Sequence, residues 1–314
     1  MVRTDMEMVV SEANFADEKH RILAQVFGFP GFRPGQEEVI DALMAGQSAL
    51  SVMPTGAGKS LCFQVPALAL GGLTLVVSPL LALMQDQVSA LQLAGVRAET
   101  INSARDRAEN VEVWRRVAAG EVSLLYLSPE RLMTERMLDA LSRLPVSLIA
   151  VDEAHCISQW GPAFRPEYAD LVRLRGLFPG AAMVALTATA DAITRRDIAD
   201  KLFGENGKIF VQGFDRPNIH LAVTFKQDWK RQMLAFLRGH PGESGIVYCL
   251  SRKKTEQTAA LLEANGLAAL PYHAGMEKWQ RDANQDRFMR EDAIVMVATI
   301  AFGMGIDKPD VRFV

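Results

Sequence analysis

Short apolar segments alternate with helix-forming segments along the 314 residues of this chain, and two such series occur. Segments that are apolar on both faces and are separated by helices indicate a parallel sheet with helices on both sides. The first series predicts strands at Ala49–Met53, Leu73–Ser78, Val122–Leu127, Leu148–Asp152 and Met183–Thr187. The second predicts strands at Ile219–Phe225, Gly245–Leu250, Ala268–Tyr272 and Ile294–Ala298. The pattern therefore predicts an α/β protein with two parallel sheets.

A stretch rich in glycine and asparagine separates the two series. It includes residues 204–207 and 213–218, whose composition is typical of a linker or crossover. We place the domain boundary near residue 212, which gives domains at 1–212 and 213–314, and the length of the chain also favours two domains. The second domain is the shorter one, so we expect its sheet to be incomplete.

The charge balance excludes a protein that is basic over its whole surface. There are 34 lysine and arginine residues against 37 acidic ones, and the net charge is −3. Any nucleic-acid contact must therefore use a local groove. The three cysteines form no CxxC pair, so neither zinc nor a disulfide framework is predicted, and a reducing cytosol is favoured. Residues 60–85 carry no charge, but proline and glycine divide them into pieces too short to cross a membrane.

The sequence MPTGAGKS follows the first predicted strand and opens a helix. A glycine-rich turn lets backbone N–H groups close around phosphates, and the helix N-terminus adds a positive dipole end. Lys59 is then a catalytic residue that reaches the β- and γ-phosphates, and the Ser60 hydroxyl binds Mg²⁺. Pro54 stands where the usual formula has its first glycine, so a chance turn is the alternative. The nucleotide-binding residues predicted in this loop are Thr55, Gly56, Ala57, Gly58, Lys59 and Ser60.

Two carboxylates, Asp152 and Glu153, end another apolar strand. We assign Asp152 to Mg²⁺ and Glu153 to the orientation or deprotonation of an attacking water. Alone, the pair would favour a charged strand end in solvent, but the phosphate loop upstream argues for catalysis. His155 is either a core histidine or a catalytic link between the γ-phosphate and a neighbouring loop. Thr187 and Thr189 either hydrogen-bond the acidic pair, or their segment caps the next helix, which then starts at Asp191 or Thr189.

Aromatic and cationic residues follow the acidic pair within a few positions. Trp160, Phe164, Arg165 and Tyr168 are of the types that stack on bases and neutralise phosphates. Packing between the two domains is the alternative for Trp160 and Phe164. The segment therefore predicts that nucleotide hydrolysis is coupled to a nucleic-acid contact.

Taken in order, these motifs resemble those of the RecQ-family DNA helicases in helicase superfamily 2. The order is far more specific than any single motif, and DEAHCISQW and AFGMGIDKP are its clearest parts. The resemblance covers residues 27–36, 54–60, 77–80, 126–132, 152–168 and 185–190 in the first domain, and 213–218, 246–252, 272–276 and 298–309 in the second. An RNA helicase of the same superfamily is an alternative that these segments disfavour.

The resemblance implies two RecA-like lobes that bind ATP and Mg²⁺ and unwind DNA in the 3′-to-5′ direction. It makes residues 1–212 the ATP-binding lobe and residues 213–314 a second, incomplete RecA-like lobe. The further residues that it assigns to the nucleotide are Phe32, Arg33, Gln36 and Asp307. The residues that it assigns to DNA are Trp160, Phe164, Arg165, Ser251, Arg252, Tyr272, His273 and Thr299.

The partners implied are single-stranded DNA and tailed or forked duplexes. The cofactors implied are ATP and Mg²⁺, with no zinc and no membrane. The location implied is the cytoplasm, in the cytosol or nucleoid of a bacterium.

Three departures from the family pattern concern function. Pro162 and Ala163 stand where the family has His-Asp, and we expect weaker stimulation of ATP hydrolysis by DNA. Gln85 replaces a common lysine, which removes one phosphate contact and lowers the salt dependence of DNA binding slightly. The sequence also ends before the family's last motif, which supplies an arginine finger, so we expect slow hydrolysis or none. An ATP-gated DNA-binding module that does not unwind is therefore the alternative function.

Overall fold

The structure is a computed structural model that describes residues 17–157, 166–204, 207–213, 218–299, 302 and 308–314. The chain forms two compact units, of which the first ends at residue 216 and the second begins at residue 217. Each unit contains one parallel sheet with apolar clusters on both faces. The predicted fold class of two parallel sheets covered by helices is confirmed.

The first unit has a seven-stranded parallel sheet. Its strands are β1 (Ala49–Val52), β2 (Leu73–Val77), β3 (Ala98–Ile101), β4 (Leu124–Leu127), β5 (Val146–Val151), β6 (Ala182–Thr187) and β7 (Lys208–Val211). Their order across the sheet is β3-β4-β2-β5-β6-β1-β7. The three strands β5, β6 and β1 are therefore consecutive neighbours near one side of the sheet.

Ten helices of the first unit lie within the described residues. They are α1 (17–25), α2 (Gln36–Met44), α3 (Leu61–Leu70), α4 (Leu81–Leu93), α5 (Arg107–Ala118), α6 (Pro129–Leu132), α7 (Glu135–Leu141), α8 (Pro166–Asp170), α9 (Arg173–Leu177) and α10 (Ala192–Leu202). A short 3₁₀ helix, Ala154–Ile157, follows β5. Helices α6 and α7 are separated by only two residues, Met133 and Thr134.

Alternate residues of the central strands enter different cores, because successive side chains of a strand point to opposite faces. Leu75 and Val77 of β2 belong to one apolar cluster, whereas Val76 between them belongs to the other. All five residues of β2 are buried. Burial on both faces is the reason that these strands appear in the sequence as continuous apolar runs.

The second unit has a four-stranded parallel sheet with the order β11-β8-β10-β9. Its strands are β8 (Ser244–Tyr248), β9 (Ala269–Tyr272), β10 (Val295–Ala298) and β11 (Val311–Phe313). Its helices are α11 (Trp229–Arg238), α12 (Arg252–Ala264) and α13 (Lys278–Arg290). Helices α11 and α12 pack on one face through Leu237 and Leu262, and α13 packs on the other through Phe288.

Residues Ile219–Phe225 do not form a strand, although their apolar–polar alternation predicts one. Leu221, Val223 and Phe225 are 87%, 102% and 92% exposed. An alternating segment becomes a strand only where a neighbouring strand supplies hydrogen bonds and an apolar face is covered. Within the described residues this segment has no such neighbour, so the prediction of a strand is wrong for this structure.

Two strands of the first sheet, β3 and β7, are absent from the sequence prediction. Strand β3 contains Glu99, and a carboxylate ordinarily argues against a buried strand. Glu99 is nevertheless only 5% exposed, because Arg105 and Arg116 place guanidinium nitrogens 3.2 and 2.5 Å from its oxygens. Strand β7 lies at the edge of the sheet and is largely exposed, so it lacks the continuous apolar run of a buried strand.

The part of the chain that the structure describes contains no helix with the length and hydropathy of a membrane span.

Candidate nucleotide-binding site

Three loops meet at the carboxyl edge of the first sheet. Strands β5, β6 and β1 run parallel as neighbours, so their carboxyl ends lie at the same edge. This arrangement brings the phosphate loop after Val52 close to the carboxylates after Val151 and to Thr187 at the end of β6. The Met53 N–H donates to the Thr187 carbonyl at 3.1 Å, which holds the start of the phosphate loop against β6.

Two glycines give the phosphate loop its shape. Gly56 and Gly58 have φ angles of 81° and 78°, in the left-handed region that glycine adopts most easily. Lys59 Nζ donates across the loop to the Met53 carbonyl at 3.3 Å. Helix α3 then begins at Leu61 with Ser60 as its N-cap residue, and the Ser60 hydroxyl makes no capping hydrogen bond. The loop therefore presents an ammonium group and a hydroxyl at a helix N-terminus.

Gln36 joins the segment before α2 to the phosphate loop. Its side chain is buried, and its Oε1 accepts from the Arg33 N–H at 2.8 Å. Its Nε2 donates to the carbonyls of Ala57 and Gly58, both at 3.0 Å. Arg33 Nη1 also donates to the Gly56 carbonyl, at 2.5 Å. The structure therefore brings Arg33 and Gln36 to the phosphate loop, where their polar atoms support its backbone.

The remaining nucleotide-binding predictions have different positions. Phe32 is half-buried, and its ring centroid lies 5.2 Å from that of His20. Thr55 is exposed in the phosphate loop. Asp307 lies outside the described residues.

Asp152 stands directly after β5 and continues the sheet. Its N–H donates to the Val77 carbonyl at 2.8 Å, and its Oδ1 accepts from the Glu153 N–H at 2.9 Å. Burial, and next the neighbouring charge of Glu153, raise the pKa of Asp152 from its ordinary 3.8 to about 6. A carboxylate that the protein solvates this poorly gains stability from a bound cation.

Glu153 and His155 form an ion pair that reaches β6. Glu153 has a φ of 50°, and its Oε2 lies 3.2 Å from His155 Nδ1. The same ring nitrogen lies 3.0 Å from Thr187 Oγ1. The hydrogen bond from His155 lowers the pKa of Glu153, while hydrogen bonds with Cys156 and then Glu153 raise the pKa of His155 to about 10. At neutral pH a charged imidazolium therefore links the acidic loop to the end of β6.

The two threonines of the LTATA segment do not cap the next helix. Thr187 Oγ1 donates to the Thr189 carbonyl at 3.1 Å, beside its contact with His155. The N-cap residue of α10 is Asp191, whose carboxylate accepts from the Thr194 N–H at 2.7 Å. The Thr187 hydroxyl therefore takes part in the contacts at the carboxyl edge of the sheet.

Tyr168 does not stack on bases, and that prediction is wrong. Its side chain is 0% exposed, and its hydroxyl donates to the Asp152 carbonyl at 2.9 Å. The ring is part of the apolar core beneath the site. The other aromatic and cationic residues predicted here, Trp160, Phe164 and Arg165, lie outside the described residues, as do Pro162 and Ala163.

The predicted DNA-binding residues of the second unit occupy the first turn of α12 and the ends of β9 and β10. Ser251 is the N-cap residue of α12, and Arg252 after it is exposed. The Tyr272 hydroxyl donates to Gln285 Oε1 at 3.3 Å, and Thr299 donates its N–H to the Tyr272 carbonyl at 3.2 Å. Arg252 is thus the freest of these side chains.

His273 is 3% exposed, and both of its ring nitrogens are occupied. Nε2 lies 3.1 Å from Glu256 Oε1, and Nδ1 accepts from the Gly275 N–H at 3.2 Å. The ring therefore has no nitrogen left for DNA, and its visible role is to hold the turn after β9 against α12.

A cavity of about 1020 Å³ lies beside the carboxyl ends of β2, β3 and β4, and the sequence analysis did not select it as a site. Its lining includes Asn102, Arg105, Trp114, Ser128, Arg131 and Arg136. Guanidinium groups next to an indole suit phosphates and bases. The sequence does hint at this cavity, because arginines follow both β3 and β4. They come together only because β3 and β4 are neighbours in the sheet.

Two family models match this chain, one in each unit. Residues 33–198 match the family model described as DEAD/DEAH box helicase, which alone covers more than half of the chain. Residues 226–314 match the model described as Helicase conserved C-terminal domain.

The chain belongs to the DEAD/DEAH box helicase family.

Curated relatives of this DEAD/DEAH box helicase confirm the resemblance to RecQ helicases. The ATP-dependent DNA helicase RecQ of Pasteurella multocida is 49% identical over 93% of this chain and 46% of its own length. The RecQ helicase of Bacillus subtilis is 41% identical over 93% of this chain and 50% of its own length. The chain thus spans about half the length of the curated relatives that it matches.

Solved helicase structures share the fold at low identity. The helicase MrfA bound to DNA is 16% identical with a TM-score of 0.72, and covers 94% of this chain and 46% of its own. The Mycobacterium smegmatis helicase Lhr bound to single-stranded DNA and AMP-PNP is 21% identical with a TM-score of 0.64, over 91% of this chain and 42% of its own. These likenesses support the two covered parallel sheets.

The phosphate loop and the acidic residues of this helicase fit Mg²⁺. The described residues contain no group of three His, Cys, Asp or Glu side chains that could hold a metal ion. Mg²⁺ bound with a nucleotide needs fewer protein ligands, because phosphates and water complete its octahedron. The Asp152 carboxylate and the Ser60 hydroxyl are oxygen donors of the required kind, and the metal would neutralise phosphate charge there.

Proposed function

We propose that this chain is the motor core of a DNA helicase that hydrolyses ATP, moves 3′ to 5′ along single-stranded DNA and separates duplexes. The observation that carries the proposal is the convergence of three groups at one sheet edge. These are the phosphate loop with Lys59, the acidic pair Asp152–Glu153, and Thr187 linked through His155. The names of the curated relatives, which are ATP-dependent DNA helicases, support DNA as the substrate.

Each group has a chemical task in ATP hydrolysis. The loop N–H groups and Lys59 bind phosphate oxygens, while Ser60 and Asp152 hold Mg²⁺. Asp152 has a pKa of about 6, so it is mostly ionised at neutral pH. Glu153 orients the attacking water, and its ion pair with His155 keeps it ionised.

The same contacts offer a route from hydrolysis to DNA. The segment after Glu153 is anchored on both sides of residues 158–165: Lys201 Nζ donates to the Ile157 carbonyl at 3.3 Å, and Tyr168 holds the Asp152 carbonyl. Trp160, Phe164 and Arg165, between these two anchored flanks in the sequence, are proposed to contact single-stranded DNA. A DNA contact there would lie seven to twelve residues after Glu153 in the same segment.

Further DNA contacts are proposed on both units. In the first unit the arginine-rich cavity beside β3 and β4 binds phosphates, and in the second unit Ser251 and Arg252 do so. Tyr272 and Thr299 support this surface, and His273 positions the turn without touching DNA. Single-stranded, tailed and forked DNA are the proposed partners, in the bacterial cytosol or nucleoid.

The proposal is tested by ATP hydrolysis and strand separation in one preparation. We expect single-stranded DNA to stimulate ATP hydrolysis, and we expect Glu153→Gln to abolish hydrolysis while leaving ATP binding intact. A 3′-tailed duplex should be separated and a 5′-tailed one should not. Preference for the 5′ tail would refute the polarity. Binding of ATP and DNA without separation would favour the ATP-gated module, and stronger stimulation by RNA of matched sequence would favour an RNA helicase.

A further inference from the structure

Six basic side chains surround the start of two helices in the second unit. Lys226, Lys230 and Arg231 lie at the start of α11, and Arg252, Lys253 and Lys254 form the first turn of α12. Among the described residues of this unit, the basic side chains that bind carboxylates are His240, His273, Arg287 and Lys308. None of the six cations of this cluster forms an ion pair with a carboxylate of the described residues.

An indole lies within this basic cluster. Lys254 Nζ lies 3.2 Å from the centroid of the Trp229 ring, and Lys230 Nζ lies 5.9 Å from it. Both distances are within the range of a cation–π interaction. The contact between Lys254 and Trp229 joins the first turns of α11 and α12, so the ring is held in place.

Trp229 does not belong to the apolar interior of its unit. Among the described residues, Met233 on the next turn of α11 packs against the core cluster of that face, whereas Trp229 is in neither apolar cluster and is half-buried. Lysine, unlike an apolar neighbour, keeps an indole close to water and to charged ligands. Trp229 is therefore an aromatic side chain at the surface that Lys254 holds in place.

The nearby acidic side chains are already engaged. Asp228 caps α11 by accepting from the Arg231 N–H at 3.2 Å, and Glu256 lies 3.1 Å from His273. In a chain of net charge −3, six cations beside one aspartate are a local excess of positive charge, which favours a polyanion. Cations interleaved with an aromatic ring are the arrangement that binds single-stranded nucleic acid, where a base stacks on the ring and phosphates meet the cations.

We propose that Trp229, held by Lys254, is a DNA contact of the second unit on which a base of single-stranded DNA stacks. The surrounding lysine and arginine side chains bind the flanking phosphates. This inference rests on the proposed function and adds an aromatic contact beside Ser251 and Arg252, which motif resemblance had assigned to DNA.

The experiment measures binding of a fluorescein-labelled oligo(dT) by anisotropy. Base stacking on an aromatic side chain is worth about 1–3 kcal/mol, so Trp229→Ala should weaken binding by about fivefold to a hundredfold. Trp229→Phe should keep most of the affinity. Lys254→Met should lower the slope of log affinity against log salt by about 1. Trp279→Ala, which removes an indole that is 69% exposed on α13, is the matched control and should bind like the unmodified chain.

Tryptophan fluorescence separates a direct contact from a loss of packing. Oligo(dT) should quench the unmodified chain more than Trp229→Phe, and the melting temperatures of these two proteins should agree. The inference is overturned if Trp229→Ala binds oligo(dT) as the unmodified chain does, or if quenching is equal in Trp229→Phe. An unmodified chain that does not bind oligo(dT) at all would instead overturn the proposed function together with this inference.

Discussion

We expect one substitution at Asp152 to have opposite effects on stability and on ATP hydrolysis. Asp152→Asn should make the first unit more stable while it removes ATP hydrolysis. The folded protein holds the Asp152 carboxylate where burial and the charge of Glu153 disfavour ionisation. Asparagine has nearly the same shape, and its oxygen can still accept the Glu153 N–H that Asp152 accepts at 2.9 Å. The substitution therefore removes the unfavourable charge and keeps the hydrogen bond.

The magnitude follows from the pKa of Asp152. Each tenfold change in an acid constant corresponds to about 1.4 kcal/mol, so a rise from 3.8 to about 6 corresponds to at most about 3 kcal/mol at pH 7. Because the folded pKa lies above the unfolded one, the cost is full above about pH 6 and falls as the pH drops. Near pH 5 it is about half as large, and below about pH 3 the acid is mostly protonated in both states.

The assay is thermal unfolding of the unmodified chain and of Asp152→Asn at several pH values between 5 and 8. For a unit of this size about 1 kcal/mol shifts the melting temperature by about 2–4 °C, so the gain at pH 7 should be at most about 12 °C. ATP hydrolysis should fall by about two orders of magnitude or more, since metal stabilisation of transition-state charge is worth several kcal/mol.

Glu153→Gln is the matched control with the opposite sign. The pKa of Glu153 is lowered by its hydrogen bond with His155, so ionised Glu153 stabilises the fold above its ordinary pKa, and its removal should lower the melting temperature. Both variants should lose hydrolysis. If Asp152→Asn is no more stable at pH 7, or if its gain does not shrink toward pH 5, the electrostatic reasoning about this carboxylate is wrong.

Three further predictions concern the phosphate loop and the exposed segment. Gly58→Ala should abolish ATP binding measured by calorimetry, because a Cβ there would lie 2.6 Å from Gln36 Nε2 and because φ is +78°. Gly46→Ala is the control: φ is +75° there, but a Cβ would have no atom within 4 Å. It should cost about 1 kcal/mol of stability and leave ATP binding unchanged. Gln36→Glu should weaken ATP binding and lower the melting temperature, because a carboxylate would face the two carbonyls to which the amide now donates. Losing these hydrogen bonds should cost about 1–3 kcal/mol of stability. Unchanged ATP affinity would contradict this prediction. Replacing Leu221 and Val223 together by lysine should reduce self-association measured by light scattering and leave the melting temperature unchanged, because both side chains are almost fully exposed. Equal scattering would show that this segment does not cause self-association.

The phosphate loop and the acidic pair could be predicted because their chemistry is local. Gly56, Gly58 and Lys59 are close in sequence, and the turn that they form depends on backbone conformations that only a few residue types favour. Asp152 could be assigned from the apolar run before it, since a buried parallel strand ends at the edge where ligands bind. Strand β3 could not be predicted, because its buried Glu99 is compensated by Arg105 and Arg116, which lie outside the strand and reach the carboxylate only in the folded chain.

The sequence by itself determined the class of fold, the position of the glycine-rich loop and the helicase resemblance, because periodicity and short motifs depend on neighbouring residues. Only the tertiary structure decided which side chains are free to act. It placed Tyr168 and His273 in the interior with their polar atoms satisfied, and it left Ile219–Phe225 exposed and unpaired. It also set Lys254 over Trp229. Burial and hydrogen-bond partners depend on residues that the fold brings together, so no local pattern could decide between a buried aromatic ring and one at the surface.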